Sequence, residues 1–498
     1  MAGDRCAVGV LARFVRVILA VGSLMHLWRR TFLTQTALGL GSVALSSLLE
    51  RETPALAAGS KSTTRPPGPH LPPRVKRVIF LYMSGGPSQF ETFDHKPKLD
   101  ELDGQPMPES YTRGQPIAQL QGQQLKVLGS QFRFARHGQS GQEISSILPW
   151  TSKLADDLAI IRSMHTDQIN HDPAHTVMNT GTSISGRPSM GAWVTYGLGS
   201  ESADLPGFVV MTSEGGRNPQ PISSRQWGAG FLPGRYQGVQ FQQQGDAVHY
   251  VPHPPGISPA HQRRTLDALR RLNTEELQRH PNPDLETRID QYELAFRMQT
   301  GIPDLLDLAS EPRHVLDAYG LTDDRLNASS FARNCLIARR LAERGVRFIQ
   351  LYHRGWDHHG DLVKYMHTTC GLTDQPTYAL IQDLKQRGLF DDTLIIWGGE
   401  FGRTPMFQGK GAEAGRDHHM RSFSMWLAGG GVKGGTTYGA TDDLGYHAVE
   451  NPVHVHDLHA TMLHLLGIDH NRLTVRAQGL DFRLTGVEPA RVVHEVLA

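Results

Sequence analysis

Short apolar runs alternate along the chain with longer stretches in which apolar and polar residues recur at helical spacing. Three of the runs, at 75–83, 346–352 and 393–397, are rich in β-branched and aromatic residues, which is typical of buried strands. The stretch 371–388 has the apolar stripe of an amphipathic helix and leads toward the third run. This alternation predicts an α/β fold with a mainly parallel central sheet and helices on both faces.

The same pattern places the folded domain at 75–498. The region from about 205 to 273 is rich in Gly, Gln and Pro and is interpreted as an irregular insertion that shapes one side of a cleft. A C-terminal helix carries His456, His459 and His464, which we expect at the surface. The remaining predicted elements are helices at 146–157, 170–181, 275–300, 327–345 and 453–466 and strands at 158–164 and 423–431.

Carboxylates and imidazoles follow two of the predicted strands at the point where each strand ends. Glu400 follows the third run, within Gly399–Pro405, and Trp356–His359 follows the second. Gly415–His419 lies on a later loop. Because ligands of open α/β sheets bind beyond the carboxyl ends of the strands, these groups are expected to meet at a metal site. The alternative is that Glu400 pairs with Arg403 and that the histidines are surface loop residues.

Two further positions are candidates for contact with a ligand. The first strand ends in Ser84–Ser88, where glycines allow close backbone approach but are equally typical of a tight turn. His171 lies at the predicted amino end of a short helix, where backbone donors and the helix dipole favour an anion and disfavour an imidazolium. We therefore expect a neutral His171 that acts as a metal ligand or general base, or one that only bonds a neighbouring backbone group.

The amino-acid composition favours some classes of protein function over others. The formal net charge of the 498 residues is +1, which gives no electrostatic reason to expect nucleic acid as a partner. The 25 histidines are many for this length and favour metal or proton chemistry. Of Cys6, Cys335 and Cys370, the first lies in a segment expected to be removed, so at most one disulfide and no cysteine-based metal site are expected.

The amino-terminal segment is interpreted as targeting sequence: residues 1–58 as an export signal and residues 59–74 as a linker. Trp28–Leu33 contains an arginine pair typical of twin-arginine signals, and the apolar stretch after it is too short to span a membrane. Translation is expected to begin at Met25, so that residues 1–24 would not belong to the natural protein. The alternative is that residues 1–24 form a short membrane anchor. The protein is thus predicted to be periplasmic or extracellular, with the twin-arginine machinery as an export partner.

The motifs of the chain resemble those of the alkaline phosphatase–sulfatase superfamily, and within it the DUF1501 proteins, over roughly 75–490. The resemblance is carried by Met83–Pro87, Trp356–His359, Gly399–Pro405 and Gly415–His419. It implies a sulfatase-like α/β sandwich with one or two divalent ions, namely zinc, manganese or calcium. It also implies an anionic small-molecule or glycan ester as the substrate.

The chain departs from the superfamily pattern at several positions. The superfamily has an Asp ligand where this chain has Met83–Gly85, and His171 stands where a Ser, Thr or Cys would attack the ester. Phe401 stands where a further ligand is expected. Two functions therefore remain open. One is an exported metal-dependent hydrolase of phosphate or sulfate esters with metal-activated water as the nucleophile, and the other is a non-catalytic metal- or glycan-binding protein on the same fold.

The resemblance and the residue types together give each candidate residue a role. Arg403 is expected to steady an anionic ester through a bidentate contact, unless it forms an ion pair with Glu400. The expected catalytic residues are His171 and Arg403, the expected substrate-binding residues are Ser84, Gly85 and His175, and the expected metal ligands are Asp357, His359, Glu400, Asp417 and His418.

The export signal can be tested by a conservative exchange of its arginine pair. Replacing Arg29 and Arg30 by Lys keeps the charge but removes the recognised pair, so precursor should accumulate in the cytoplasm. Cell fractionation with immunoblotting measures this, and amino-terminal sequencing should place the start of the exported chain near Ala58. Unchanged export of the double variant, or exported protein that retains residues 1–57, would contradict the assignment.

Overall fold

A computed structural model of the chain describes residues 66–242, 248, 256–280, 282–322, 330–409 and 411–498. The predicted export signal and the first part of the predicted linker lie outside the described residues. Within the described ranges, no helix is both long enough and apolar enough to cross a membrane.

The most apolar short runs of the chain are strands of the central sheet, and the bounds of all strands are as follows. In chain order they are β1 (Arg77–Ser84), β2 (Phe134–His137), β3 (Gln142–Ser145), β4 (Leu158–His165), β5 (Phe208–Arg217), β6 (Val239–Phe241), β7 (Phe348–Trp356), β8 (Thr393–Gly398), β9 (Gly402–Gln408), β10 (Gly415–His419), β11 (Phe423–Gly429), β12 (Thr436–Tyr438), β13 (Ala440–Thr441), β14 (Ala448–Glu450), β15 (Val453–His454), β16 (Val475–Ala477) and β17 (Leu480–Phe482).

Helices separate many of these strands along the chain. They are α1 (Pro97–Glu101), α2 (Glu109–Thr112), α3 (His171–Thr180), α4 (Met190–Leu198), α5 (Pro259–Arg279), α6 (Pro283–Leu306), α7 (Arg313–Tyr319), α8 (Phe331–Glu343), α9 (Leu362–Gln386) and α10 (Val455–Leu465).

One large sheet organises the fold. Its strand order is β12, β4, β11, β8, β1, β7, β5 and β6, with β15 also paired to β4. The neighbours β8, β1, β7, β5 and β6 pair in parallel. Because β11 is antiparallel to both β8 and β4, β4 runs in the same direction as the parallel strands. The predicted mainly parallel sheet is confirmed, and the carboxyl ends of β4, β8, β1 and β7 gather at one end of it.

Helices cover both faces of this sheet because alternate side chains of a strand point in opposite directions. On one face, Ile79 of β1 joins a core that includes Leu336 of α8 and Leu380 of α9. On the other face, Phe80 of β1 joins a core that includes Met462 of α10. The predicted sandwich with helices on both faces is therefore confirmed.

The region from 205 to 273 is not irregular throughout, as its composition suggested. It contains β5, which lies between β7 and β6 in the central sheet, and most of α5. Only Phe208–Met211 of β5 is a continuous apolar run, and the polar, glycine-containing end of the strand concealed its pattern. Helix α5 has no buried residue and is rich in charged and polar side chains, so composition alone did not reveal it.

Three helices also differ in extent from those that the sequence predicts. Helix α9 begins at Leu362 rather than near 371. The helix expected at 146–157 is a short 3-10 segment confined to its second half. The helix expected at 275–300 is divided between α5 and α6, and Pro283 begins the second of these because proline suits the first turn of a helix but not its interior.

The histidines of α10 are not the surface residues that the sequence suggested. His456 and His459 are 9% and 1% exposed, and His464 is partly buried. Nε2 of His456 donates to the backbone oxygen of Gly181 over 2.7 Å, and Nε2 of His459 donates to that of Met178 over 2.8 Å. Both oxygens lie at the carboxyl end of α3, where helix carbonyls lack partners within the helix. The two imidazoles are thus buried because they satisfy these carbonyls.

Burial of His459 should make the stability of the fold sensitive to acid. Burial lowers the pKa of His459 to about 3, whereas the unfolded chain has a pKa near the ordinary 6.5. Between pH 6.5 and pH 3 only the unfolded chain takes up a proton at this position. The free energy of unfolding therefore keeps its full value above pH 6.5 and falls by about 1.4 kcal/mol for each pH unit as the pH drops toward 3. Urea unfolding of His459→Gln between pH 7 and pH 4 should show a shallower loss of stability than the parent.

The exposed His261 on α5 provides the control, because its replacement by Gln should leave the slope of stability against pH unchanged. Glutamine at position 459 retains an N–H that can reach the oxygen of Met178. Equal pH slopes for the His459 variant and the parent would contradict the prediction.

Candidate metal centre

The carboxyl ends of β1, β7 and β8 lie side by side, and a glycine allows the first two to touch. Gly85, directly after β1, has a φ of +125°, and a Cβ atom there would lie 2.5 Å from the backbone nitrogen of Asp357. Any side chain at this position would push the two segments apart. The backbone N–H of Gly85 donates to the carboxylate of Glu400, which follows β8, over 3.0 Å. This close approach brings residues from three strands into one group.

Four side chains meet beyond these strand ends, and they are His171, Asp357, His359 and His418. One potential ligand atom of each lies within 4.8 Å of the other three. Oδ1 of Asp357 is 2.9 Å from Nε2 of His359 and 3.2 Å from Nε2 of His171. It is 3.3 Å from Nε2 of His418, which itself lies 2.9 Å from Nε2 of His359. The side chains of His171 and His359 are 12% and 14% exposed, so solvent reaches the cluster on their side.

Two imidazoles of this cluster are oriented by oxygen atoms that can only accept hydrogen bonds. Nδ1 of His359 lies 2.6 Å from Oε1 of Gln408, and Nδ1 of His418 lies 3.0 Å from the backbone oxygen of Ile169. Each Nδ1 must therefore carry the proton, and in a neutral imidazole the other nitrogen then has a free lone pair. Consequently, both Nε2 atoms direct lone pairs into the cluster.

The third imidazole has the same arrangement with a charged partner. Nδ1 of His171 lies 2.6 Å from Oε1 of Glu400, and its buried Nε2 faces Asp357 without forming a hydrogen bond. Three imidazole nitrogens and a carboxylate oxygen repel one another unless a proton or a cation lies among them. Ligand atoms around a tetrahedral zinc ion stand roughly 3.3 Å apart, which is close to the separations observed here. The residues present therefore fit a divalent metal ion.

A second group that could hold a metal ion, formed by His171, His175 and Glu400, has hydrogen-bond partners within the protein for its ligand atoms. Glu400 already accepts from Nδ1 of His171, and Nδ1 of His175 lies 3.6 Å from its other oxygen. His175 also contacts the hydroxyl of Tyr82 at 2.8 Å and that of Ser84 at 3.4 Å. Both His175 and Ser84 are fully buried, so these two predicted substrate-binding residues lie behind the cluster.

The electrostatics of the centre favour positive charge between its two carboxylates. Burial favours neutral His171, but the adjacent carboxylates of Asp357 and Glu400 raise its pKa above the ordinary value. Two adjacent carboxylates thus oppose the helix dipole, which by itself would favour the neutral ring. Burial also opposes charge on Glu400, yet His175 and His171 lower its pKa to about 2. A divalent cation held by these residues would supply positive charge at this place.

Arg403 binds the candidate metal cluster from its buried side. Its guanidinium is 1% exposed, and one terminal nitrogen lies 2.6 Å from Oδ1 of Asp357. Despite burial, Arg403 holds the pKa of Asp357 well below its usual range. Arg403 pairs with this residue and not with Glu400, the alternative raised by the sequence. Its remaining hydrogen bonds go to the backbone oxygens of Gly85, Gly86, Trp356 and Arg416.

Asp417 lies beside the cluster rather than within it. Its Oδ2 accepts from the backbone N–H groups of Gln119 over 2.6 Å and Leu120 over 3.0 Å. Its Oδ1 accepts from the backbone N–H of His418 over 2.8 Å. Three donors thus occupy this carboxylate, which ties the loop carrying Gln119 to β10.

Sequence reasoning did not identify the amide side chains around the centre. Gln408 orients His359, Gln119 lies 3.2 Å from the same ring, and Nε2 of Gln220 donates to Oδ2 of Asp357 over 2.8 Å. Glutamines are common in polar loops, and no spacing distinguishes these three from the others. Their roles depend on contacts between distant parts of the chain.

The chain belongs to the DUF1501 family, whose model is described as a protein of unknown function and matches residues 75–497. The family membership expected from the motifs is thereby confirmed. No curated protein matches the chain in sequence.

The solved structures that are similar to this chain match it with low sequence identity and low TM-scores. The lipoteichoic acid synthase LtaP from Listeria monocytogenes is 11% identical with a TM-score of 0.34, covering 83% of this chain and 75% of that chain. The PsFucS1 sulfatase from Pseudoalteromonas sp. is 12% identical with a TM-score of 0.33, covering 79% and 68%. A Vibrio parahaemolyticus protein in the alkaline phosphatase superfamily is 11% identical with a TM-score of 0.32, covering 80% and 67%. At such scores, the function of this chain has to be inferred from its own site.

Loss of the Arg403 guanidinium should destabilise the whole fold. Replacement by Met leaves Asp357 buried without its ion-pair partner, which is expected to lower the free energy of unfolding by about 3–5 kcal/mol. Urea denaturation of the metal-free protein measures this loss. Arg113, exposed and paired with the exposed Glu109, serves as the control, and its replacement by Met should leave the unfolding midpoint nearly unchanged. Equal midpoints for the two variants would show that Arg403 lacks this role.

Proposed function

We propose that this protein is an exported metal-dependent hydrolase of phosphate or sulfate esters, in which His171, Asp357, His359 and His418 hold one divalent cation. The observation that supports this is the convergence of three imidazole Nε2 atoms on one carboxylate oxygen of Asp357. Each imidazole is oriented by an acceptor on its other nitrogen, the arrangement usual for histidine ligands in metal sites. A cation held there would supply a Lewis acid and a means of activating water near neutral pH.

The donor set favours zinc or manganese over calcium. Three nitrogens with one carboxylate oxygen suit zinc and manganese, whereas calcium takes about six to eight oxygen ligands. One ion per chain is proposed, because the ligand atoms of the second group, which contains Glu400, already have hydrogen-bond partners within the protein.

Glu400 and Arg403 are proposed as positioning residues. Glu400 holds a proton on Nδ1 of His171 and thereby turns Nε2 of that ring toward Asp357. Arg403 fixes Asp357 from the buried side. Neither residue needs to touch the ester for its loss to impair the centre.

An ester would approach from the side on which His171 and His359 are exposed. On another side the buried Phe401 packs against the cluster, with ring centroids 4.9 Å from His171 and 4.7 Å from His418. The four proposed ligands include no hydroxyl or thiol group. Water, rather than an enzyme side chain, is therefore the proposed nucleophile, and the substrate class is an anionic small-molecule or glycan ester.

A metal-binding protein without turnover is the second candidate. One observation favours it: the guanidinium of Arg403, which the sequence suggested for binding an anionic ester, is buried and makes its hydrogen bonds to backbone oxygens and Asp357. Turnover of aryl phosphate, phosphodiester or sulfate ester substrates by the metal-loaded protein distinguishes the two candidates.

Metal binding should depend on Asp357 and, less strongly, on Glu400. The parent should bind about one zinc or manganese ion per chain, and Asp357→Asn should lose it because the carboxylate charge is removed. Glu400→Gln should bind about 10- to 100-fold more weakly, as expected when the outer partner of a histidine ligand is changed. Elemental analysis and titration against a chromophoric chelator measure these effects.

His454 provides a matched control from a different histidine-rich region, where it contacts Asp167. Its replacement by Gln should leave metal content and affinity at the parental values. Retention of a full equivalent of metal by Asp357→Asn would remove this residue from the proposed ligands. Binding by the parent without turnover on any ester of the panel would support the second candidate.

A further inference from the structure

Gln119 is an exposed residue whose side chain reaches into the candidate metal centre. Its Nε2 lies 3.2 Å from Nε2 of His359. An amide nitrogen can only donate, and Nδ1 of His359 already donates to Gln408. The amide therefore donates to the lone pair of His359 that points into the cluster.

A ring of hydrogen bonds couples the orientations of both amides to the protonation of His359. With the proton on Nδ1, that nitrogen donates to Oε1 of Gln408, Nε2 of Gln408 donates to Oε1 of Gln119 over 3.0 Å, and Nε2 of Gln119 returns to His359. Rotating one amide alone by a half-turn would oppose two donors or two acceptors, and rotating both requires the proton to move to Nε2. In the form of His359 that can ligate a metal through Nε2, the donor group of Gln119 is therefore the one that faces the imidazole.

The backbone beside this side chain is held in place while the side chain itself is accessible. The N–H groups of Gln119 and Leu120 donate to the carboxylate of Asp417. Leu120 is buried in a small apolar cluster with Val127 and Met406. Rotation about the side-chain bonds of Gln119 could therefore move its amide out of the centre without displacing the loop.

We propose that Gln119 occupies a ligand position of the metal centre and is displaced when a cation binds. The inference rests on the proposed function, because it requires His359 to be a metal ligand. One lone pair on Nε2 cannot serve an amide donor and a cation at once, so binding breaks this hydrogen bond. The released amide stays tethered at the open side of the cluster. Gln408 differs, since it holds the opposite nitrogen and keeps its contact in both states.

The two glutamines should affect metal affinity in opposite directions. Gln119→Leu removes the competing donor and is expected to bind zinc about two- to tenfold more tightly than the parent, the effect of one lost neutral hydrogen bond. Gln408→Leu removes the acceptor that orients His359 and should bind zinc about 10- to 100-fold more weakly. Zinc affinities are measured by titration against a chromophoric chelator, with the fold of each variant checked by circular dichroism.

Two further measurements make the test specific. Gln121→Leu is the control, because this exposed glutamine on the same loop bonds only the backbone oxygen of Ile117 and should leave affinity unchanged. Gln119→Ala is measured in parallel, so that an effect of leucine packing is recognised. The visible spectrum of the cobalt(II)-loaded protein should be the same with Gln119 or Leu, since the amide is not expected to be a ligand of the bound ion.

Equal or weaker zinc binding by both Gln119 variants would overturn the proposal, and so would an altered cobalt spectrum, which would make the amide a metal ligand. These results leave the metal centre standing if the parent itself binds zinc. Failure of the parent to bind any zinc would instead overturn the centre, and the role of Gln119 with it.

Discussion

The ion pair between Arg403 and Oδ1 of Asp357 is the constraint on which the candidate centre depends. Both groups are buried, and a buried charge is unfavourable unless an opposite charge and hydrogen bonds surround it. The same guanidinium binds backbone oxygens of Gly85, Gly86 and Arg416, so it holds the ends of separate strands at fixed distances. Three imidazoles gather around the paired oxygen. Architecture and ligand charge therefore depend on a single buried contact.

Much of this arrangement follows from local sequence. The apolar runs of β1, β7 and β8 identify buried strands, and the carboxyl ends of neighbouring parallel strands must meet. Asp357, His359 and Glu400 come directly after two of those strands, so their proximity could be predicted. Strand β5 was missed because half of it is polar, and most of helix α5 because charged and polar residues dominate it. Periodicity reveals an element only where one face is buried.

The separate roles of the three acidic residues could not be predicted, because each role depends on which hydrogen-bond donors the fold brings to that carboxylate. Asp357, Glu400 and Asp417 are equivalent as residue types. In the folded chain, Asp357 faces the imidazoles, Glu400 binds the outer nitrogen of His171, and Asp417 accepts three backbone N–H groups. The glutamine contacts are of the same kind, since they join loops that are far apart along the chain. Residue type indicated the chemistry of the centre but not the role of each member.

The order of the strands has a consequence for how the chain reaches its native state. β1 lies between β7 and β8 in the sheet, although Gly85 and Glu400 are separated by 315 positions along the chain. Closing loops of that length precedes the gain from the contacts they make, so folding of such a topology is expected to be slow. The ligands can assemble only after β8 has joined β1, late in synthesis of the polypeptide. An ion that binds them would therefore act on a nearly complete fold and slow its unfolding, rather than guide its early steps.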